Sequence, residues 1–128
     1  MIEKSIRDFL ISKPELLNVA TGGVYLDRNH SASDNYIQID VTFNNFEYSN
    51  HGEQSQIDSD LQITCFSSDK ATVKNMEKEL KKAINLASFK DEYASVQSIY
   101  KQSSIPDYED DTRLYSETCN YLLYYNEV

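Results

Sequence analysis

The order of hydrophobic periods along this 128-residue chain predicts an α+β domain. The expected architecture is an antiparallel sheet of about four to five strands, backed by an N-terminal helix and one longer central amphipathic helix. Three observations carry that expectation. Apolar residues recur at helical spacing in two places, they alternate at strand spacing in four, and the two patterns succeed each other as helix, hairpin, helix, hairpin. The length suits one core, so residues 1–128 read as a single domain, with no internal repeat and no linker.

Ile2, Ile6, Phe9 and Leu10 make one face of a first helix, which Pro14 stops. Leu16, Leu17 and Val19 predict a short apolar turn ending at Gly22-Gly23. Val24 and Tyr25 begin a short strand, followed by a polar loop from Asp27 to Asn35. Ile37, Ile39, Val41 and Phe43 then alternate with polar partners, as do Ile57, Leu61, Ile63 and Cys65, giving the two strands of a half-buried hairpin. Between them Asn44 to Gln56 is polar and long, with Phe46 and Tyr48 as isolated apolar anchors. Loops of this kind are often functional, and this one is expected to order on a partner.

Ser68 or Asp69 can cap the central helix, whose stripe is Val73, Met76, Leu80, Ala83, Ile84 and Ala87. Leu86 falls off that stripe. Lys70, Lys74, Lys78 and Lys81 gather on a different face, either as a plain solvated ridge or as a contact. Ala94 to Lys101 predicts a strand with Val96, Ser98 and Tyr100 on one side and Gln97 and Ile99 on the other. A loop from Gln102 to Asp111 holds Asp107, Glu109, Asp110 and Asp111. Arg113 to Tyr125 is expected to be the longest strand, with Tyr121, Leu123 and Tyr125 facing one way and Leu122 and Tyr124 the other. Such a strand, apolar on both faces, belongs in the middle of a sheet or under another subunit.

Composition narrows the function classes. The balance of 12 basic and 21 acidic residues gives a net charge of -9, which opposes general binding to nucleic acid. No apolar run reaches the roughly 20 residues of a membrane helix. The opening stretch MIEKSIRDFLISK has polar residues in every turn, unlike a signal peptide. Cys65 and Cys119 fall inside strands without a CxxC partner and read as buried free thiols of a reducing cytoplasm. The ten tyrosines suit sheet faces and protein interfaces.

No arrangement carries catalytic chemistry. His30 and His51 stand alone in polar loops, so a zinc ligand set is lacking. The acids from Asp107 to Asp111 lack the glycine and the alternate spacing of an EF-hand loop. Asp40 is expected across the hairpin from Asp58 or Asp60, on its polar side and outside any cleft. No GxSxG, P-loop or dinucleotide-binding glycine pattern occurs. DNA mimicry needs regularly spread carboxylates, whereas these are scattered and accompanied by a lysine ridge. The residues therefore argue against an enzyme and against a metal site without excluding an enzyme outright.

Taken together, IRDFLISKPELLNVATGGVYLD, then NYIQIDVTF, a polar excursion, DSDLQITCFSSDKATVKNMEKELKKAI, and the closing DDTRLYSETCNYLLYY resemble the tail terminator proteins (tail completion, or head-to-tail joining) of long-tailed bacteriophages. The resemblance covers essentially the whole chain as a pattern of order and length. One departure is NHSASDN before Tyr36, where many members carry a Pro-Tyr pair. The resemblance implies a virion structural protein, made in the bacterial host cytoplasm and located at the tail or neck, with neither catalysis nor a cofactor. Its partners would be itself in a ring, typically a hexamer, the tail tube protein and the head–tail connector or stopper. DNA would pass through without specific binding. Another small head–tail connector or minor capsid protein, or a non-virion binding or inhibitor protein, is the alternative. The candidate contact residues are Phe46, Tyr48, Lys70, Lys74, Lys78, Lys81, Asp107, Glu109, Asp110 and Asp111. The acids either line the bore or meet the lysines of a neighbouring subunit.

Overall fold

A computed structural model describes residues 2–26, 35–48 and 55–127, with the side chains of 43–48 and 55–57 left aside. In chain order the elements are α1 (Ile2–Ile11), α2 (Pro14–Val19), β1 (Gly23–Tyr25), β2 (Tyr36–Tyr48), β3 (Ser55–Ser67), α3 (Lys70–Ile84), β4 (Phe89–Lys90), β5 (Ala94–Glu109) and β6 (Leu114–Glu127). The strands form one six-stranded sheet in the order β1-β2-β3-β6-β5-β4.

The expected α+β class holds, but the sheet is mixed and larger than predicted. β1 runs parallel to β2, with Val24 beside Ile37, while every other neighbouring pair is antiparallel. The two edge strands are three and two residues long, too short to show a period in sequence. Pro14 lies past the end of α1 at Ile11 and opens α2 from its first turn, where its missing N–H costs nothing. The apolar turn at Leu16 is thus a second helix.

The helices pack on one face. Ile2, Ile6 and Leu10 of α1, Leu16 of α2, and Val73, Met76, Leu80 and Ile84 of α3 are buried. They meet the inward residues Ile37, Ile39, Leu61, Ile63, Cys65, Cys119, Tyr121, Leu123 and Tyr125. Phe9 stacks on Phe89 at 4.2 Å between ring centroids, joining α1 to the edge strand β4. Cys65 and Cys119 are buried free thiols, as expected. Contact with Cys119, together with burial, holds the Cys65 thiol well above its ordinary pKa.

Two loops predicted from polarity, Asn44–Gln56 and Gln102–Asp111, are largely strand. The first hairpin continues through a bulge between Phe43 and Asn45 to the pair Tyr48–Ser55. Of the predicted Asn44–Gln56 loop, 44–48 and 55–56 are therefore strand, and 49–54 lies outside the described residues, as do the side chains of Phe46 and Tyr48. The 27–34 part of the Asp27–Asn35 loop lies outside them too, with both histidines. β5 runs on through the acids to Glu109, which makes it, at 16 residues, longer than the 14-residue β6. Backbone pairing needs no apolar alternation, so a strand extending past the core leaves no hydrophobic signal.

Bulges also explain the misread faces of β5. Gln97 is an extra residue between Val96 and Ser98, so Val96 and Ile99 are both buried on the core side while Tyr100 turns outward. Asp40 lies opposite Gln62, Asp60 opposite Thr42, and Asp58 opposite Asn45. The expected carboxylate pairing across the hairpin is therefore replaced by three separate rungs.

Candidate functional site

Two surfaces collect the charged residues that the sequence singles out: the exposed side of α3 and the far end of the β5–β6 hairpin. On α3, Lys74 departs from its neighbours. Its Nζ donates to both carboxylate oxygens of Glu117, at 2.9 and 3.2 Å. Glu117 sits on the inward phase of β6 and is only 3% exposed. The hydrogen bond to Glu117 raises the Lys74 pKa from its ordinary value. Lys74 is thus a clamp between α3 and β6 in its own chain. Lys101, on the inward side of β5, makes a similar ion pair with Glu77 of α3, and Lys82 pairs with Glu79 at 3.4 Å. The five lysines of α3 therefore reduce to three exposed ones, Lys70, Lys78 and Lys81, without an ion pair among the described residues.

A helix with a 100° advance per residue explains why those three remain together. They lie beside the buried stripe of Val73, Met76, Leu80 and Ile84, turned away from the sheet. From Lys70 to Lys81 the row extends roughly 16 Å at 1.5 Å per residue.

The hairpin end has the opposite charge. From Gln102 onward β5 is exposed apart from a half-exposed Ser104, because the helical layer does not reach over it. Asp107, Glu109, Asp110 and Asp111 crowd the last rungs and the turn, and none has an ion-pair partner among the described residues. Arg113 occupies the turn at φ 56. Tyr108 packs on Tyr115 across the strands, with ring centroids 4.6 Å apart. Ile105 and Tyr108 are nevertheless 59% and 43% exposed.

The open face of the sheet, opposite the helices, carries Tyr100, Leu122 and Tyr124 in one part and is otherwise mainly polar and acidic. Gln62 Nε2 donates to Asn120 Oδ1 at 3.3 Å, and Asn120 Nδ2 donates to Ser103 Oγ at 3.2 Å, making a ladder over three strands. Asp40 and Asp60 are exposed on this face. Across β2, β3, β5 and β6 there is a single cation, Lys101, and it points to α3. The exposed lysine row of α3 thus lies apart from the acids of the open sheet face and the hairpin end, although the helices also carry Glu3, Asp8, Glu15, Glu77 and Glu79.

The sequence grouped the lysines on the helix and the acids in one stretch, but it did not reveal the Lys74–Glu117 clamp. The available signal was Glu117 itself, a charged residue on the apolar phase Tyr115, Cys119, Tyr121, Leu123, Tyr125, which demands a cation on whatever covers that face. A groove of about 310 Å³ between α2 and α3 is lined by Lys13, Glu15, Leu16, Glu79, Lys82 and Ala83. Among the described residues no cluster of metal-ligating side chains occurs, and no helix is long and apolar enough to cross a membrane.

No protein-family model and no curated protein matches the chain. Among solved structures, a chain of one described as "Virion of native gene transfer agent (GTA) particle" is similar in fold, with a TM-score of 0.79. The likeness covers 97% of this chain and 93% of the other at 11% identity, so it is a likeness of fold.

Proposed function

We propose that this chain is a structural protein of a phage-like virion and, within it, the terminator of the tail tube. Copies close into a ring, six-fold in the reading adopted here, that caps the tube, stops its polymerisation and offers the joining surface to the head–tail connector or stopper. The observation that carries this reading is the fold likeness to a chain of a gene transfer agent virion, which spans nearly the full length of both chains. The order of segments in the sequence supports the finer role. The separation of acidic and basic surfaces supports ring closure, because a head-to-tail ring needs two different, complementary patches on one protomer. An acidic sheet face also suits a bore through which DNA passes without sticking. In this reading the protein works by assembly in the tail or neck, with no catalytic step and no cofactor.

Deleting the gene from a particle-producing cell and measuring tails by electron microscopy tests the proposal. The expected result is headless tails of uncontrolled length. Tails of normal length on heads that lose their DNA would move the protein to the connector or stopper. Intact particles would remove it from assembly altogether.

A further inference from the structure

We infer that the β5–β6 hairpin end of one copy docks on the exposed lysine row of α3 in a second copy. The inference rests on the ring reading above and names the contact that closes the ring. Its first support is complementarity within one chain. Among the described residues, Asp107, Glu109, Asp110 and Asp111 at the hairpin end and Lys70, Lys78 and Lys81 on α3 have no ion-pair partner. In a chain of net charge -9 this row is a concentrated basic patch, so the best match for the acidic end lies on another copy of the same molecule.

A second support concerns how the hairpin can associate. β5 is followed in the sheet only by the two-residue β4, which pairs with Ser95 and Val96, so its far half is an open edge. Leu86 N–H donates to Ile99 O and Lys101 N–H to Asn85 Oδ1, so the odd positions there face away from β6. The extra residue Gln102 shifts this phase, and Pro106 then faces outward with no N–H to offer. Tyr108 N–H, the next outward donor, is already bound by Asp107 Oδ1 at 2.8 Å. The edge is blunted against adding a foreign strand. Association must therefore use side chains, and those available are the carboxylates with Ile105 and Tyr108. The α3 end has its own exposed apolar neighbour in Leu86, 68% exposed and held at φ 65.

The test uses two charge-reversed full-length chains. One carries Lys70→Glu, Lys78→Glu and Lys81→Glu; the other carries Asp107→Lys, Glu109→Lys and Asp111→Lys. Lys74 is left alone, since reversing it would set two carboxylates against each other inside the fold. All six positions are exposed, and circular dichroism checks that both chains fold. Analytical ultracentrifugation of wild type should show a closed oligomer. Each reversed chain alone should need about tenfold or more higher concentration to assemble, because several exposed pairs turn from attraction to repulsion. An equimolar mixture of the two, and a chain carrying all six changes, should assemble again. If wild type assembles and either reversal leaves assembly unchanged, or the mixture and the six-fold variant fail to recover, the contact is wrong while the ring stands. If wild type is monomeric at every concentration, and tails are normal without it, the ring reading itself fails.

Discussion

Replacing Lys74 with Met keeps the aliphatic stem on β6 and removes only the ammonium, which isolates the electrostatic role of the clamp. The carboxylate left behind is 5% exposed along its side chain, whereas Lys74 is half exposed. A fully buried pair broken on one side loses about 3–5 kcal/mol, and a surface pair loses at most about 1 kcal/mol. The Glu117 end belongs to the first class and the Lys74 end to the second. Two charge-assisted hydrogen bonds disappear, so the expected loss is about 1.5–3 kcal/mol. A double variant, Lys74→Met with Glu117→Leu, leaves no orphaned charge and should recover most of that loss. Urea midpoints at unchanged slope measure both. A loss below about half a kcal/mol for Lys74→Met would mean that the pair does not form in solution. Lys74 would then return to the free lysine row, and the docking surface on α3 would have to be redrawn with four cations.

Leu80 is fully buried between α3 and the sheet, and Leu80→Ala should cost about 2–5 kcal/mol in the same urea assay; a loss under about half a kcal/mol would put the helical register in error. Leu86→Gly should stabilise the chain by up to about 1 kcal/mol, read as a higher urea midpoint, because glycine holds φ 65 without side-chain strain and an exposed leucine loses no burial. Desolvation raises the pKa of Tyr121, and raises that of Tyr125 from 10.0 to about 12. As pH rises from about 10 to about 12 the unfolded chain releases tyrosine protons that the folded chain keeps, so stability should fall across that window. Urea midpoints measured between pH about 10 and about 12 should fall steadily, and a midpoint that stays constant over that window would contradict the burial. The Tyr121 hydroxyl is buried without a hydrogen-bond partner among the described residues, so Tyr121→Phe should leave stability at pH 7 unchanged or raised by about 1 kcal/mol, while flattening the alkaline decline.

How much was legible in the sequence depends on what leaves a side-chain signal. The stripes of α1 and α3 and the inward set Tyr121, Leu123, Tyr125 follow from burial, which selects residue type at a fixed period, and these matched the fold. β1 was visible as an element, but its parallel pairing was not, because strand direction is set by the path of the chain between Tyr25 and Tyr36. Pro106 and the neighbouring acids read as a loop, although proline is harmless on an outward edge position and acids are welcome where no core lies beneath. The single-residue bulges at Gln97 and Gln102 reversed the phase of β5 without any mark in composition. At the candidate site, position on a helical wheel correctly grouped the four lysines. It could not show that one of them had a partner 43 residues away.

In the ring proposed above, a chain of net charge -9 faces repulsion between every pair of copies, and this decides what kind of contact can work. At physiological salt the Debye length is about 8 Å, so the summed repulsion between distant surfaces is largely screened while groups in contact still feel each other. Assembly then depends on where the few unpaired cations sit. α3 supplies three, in a row on a rigid 15-residue helix whose neighbouring lysines are already committed to Glu117 and Glu79. The hairpin supplies the acids on two paired strands that run beyond the helical layer, where a lone hairpin is only marginally stable. Contact with a second copy would give that end the packing it lacks in its own chain. The fixed intrachain clamps keep α3 from drifting on the sheet, and thereby hold the lysine row at a constant distance from the acidic end. A ring closes only if that distance and angle are the same in every copy.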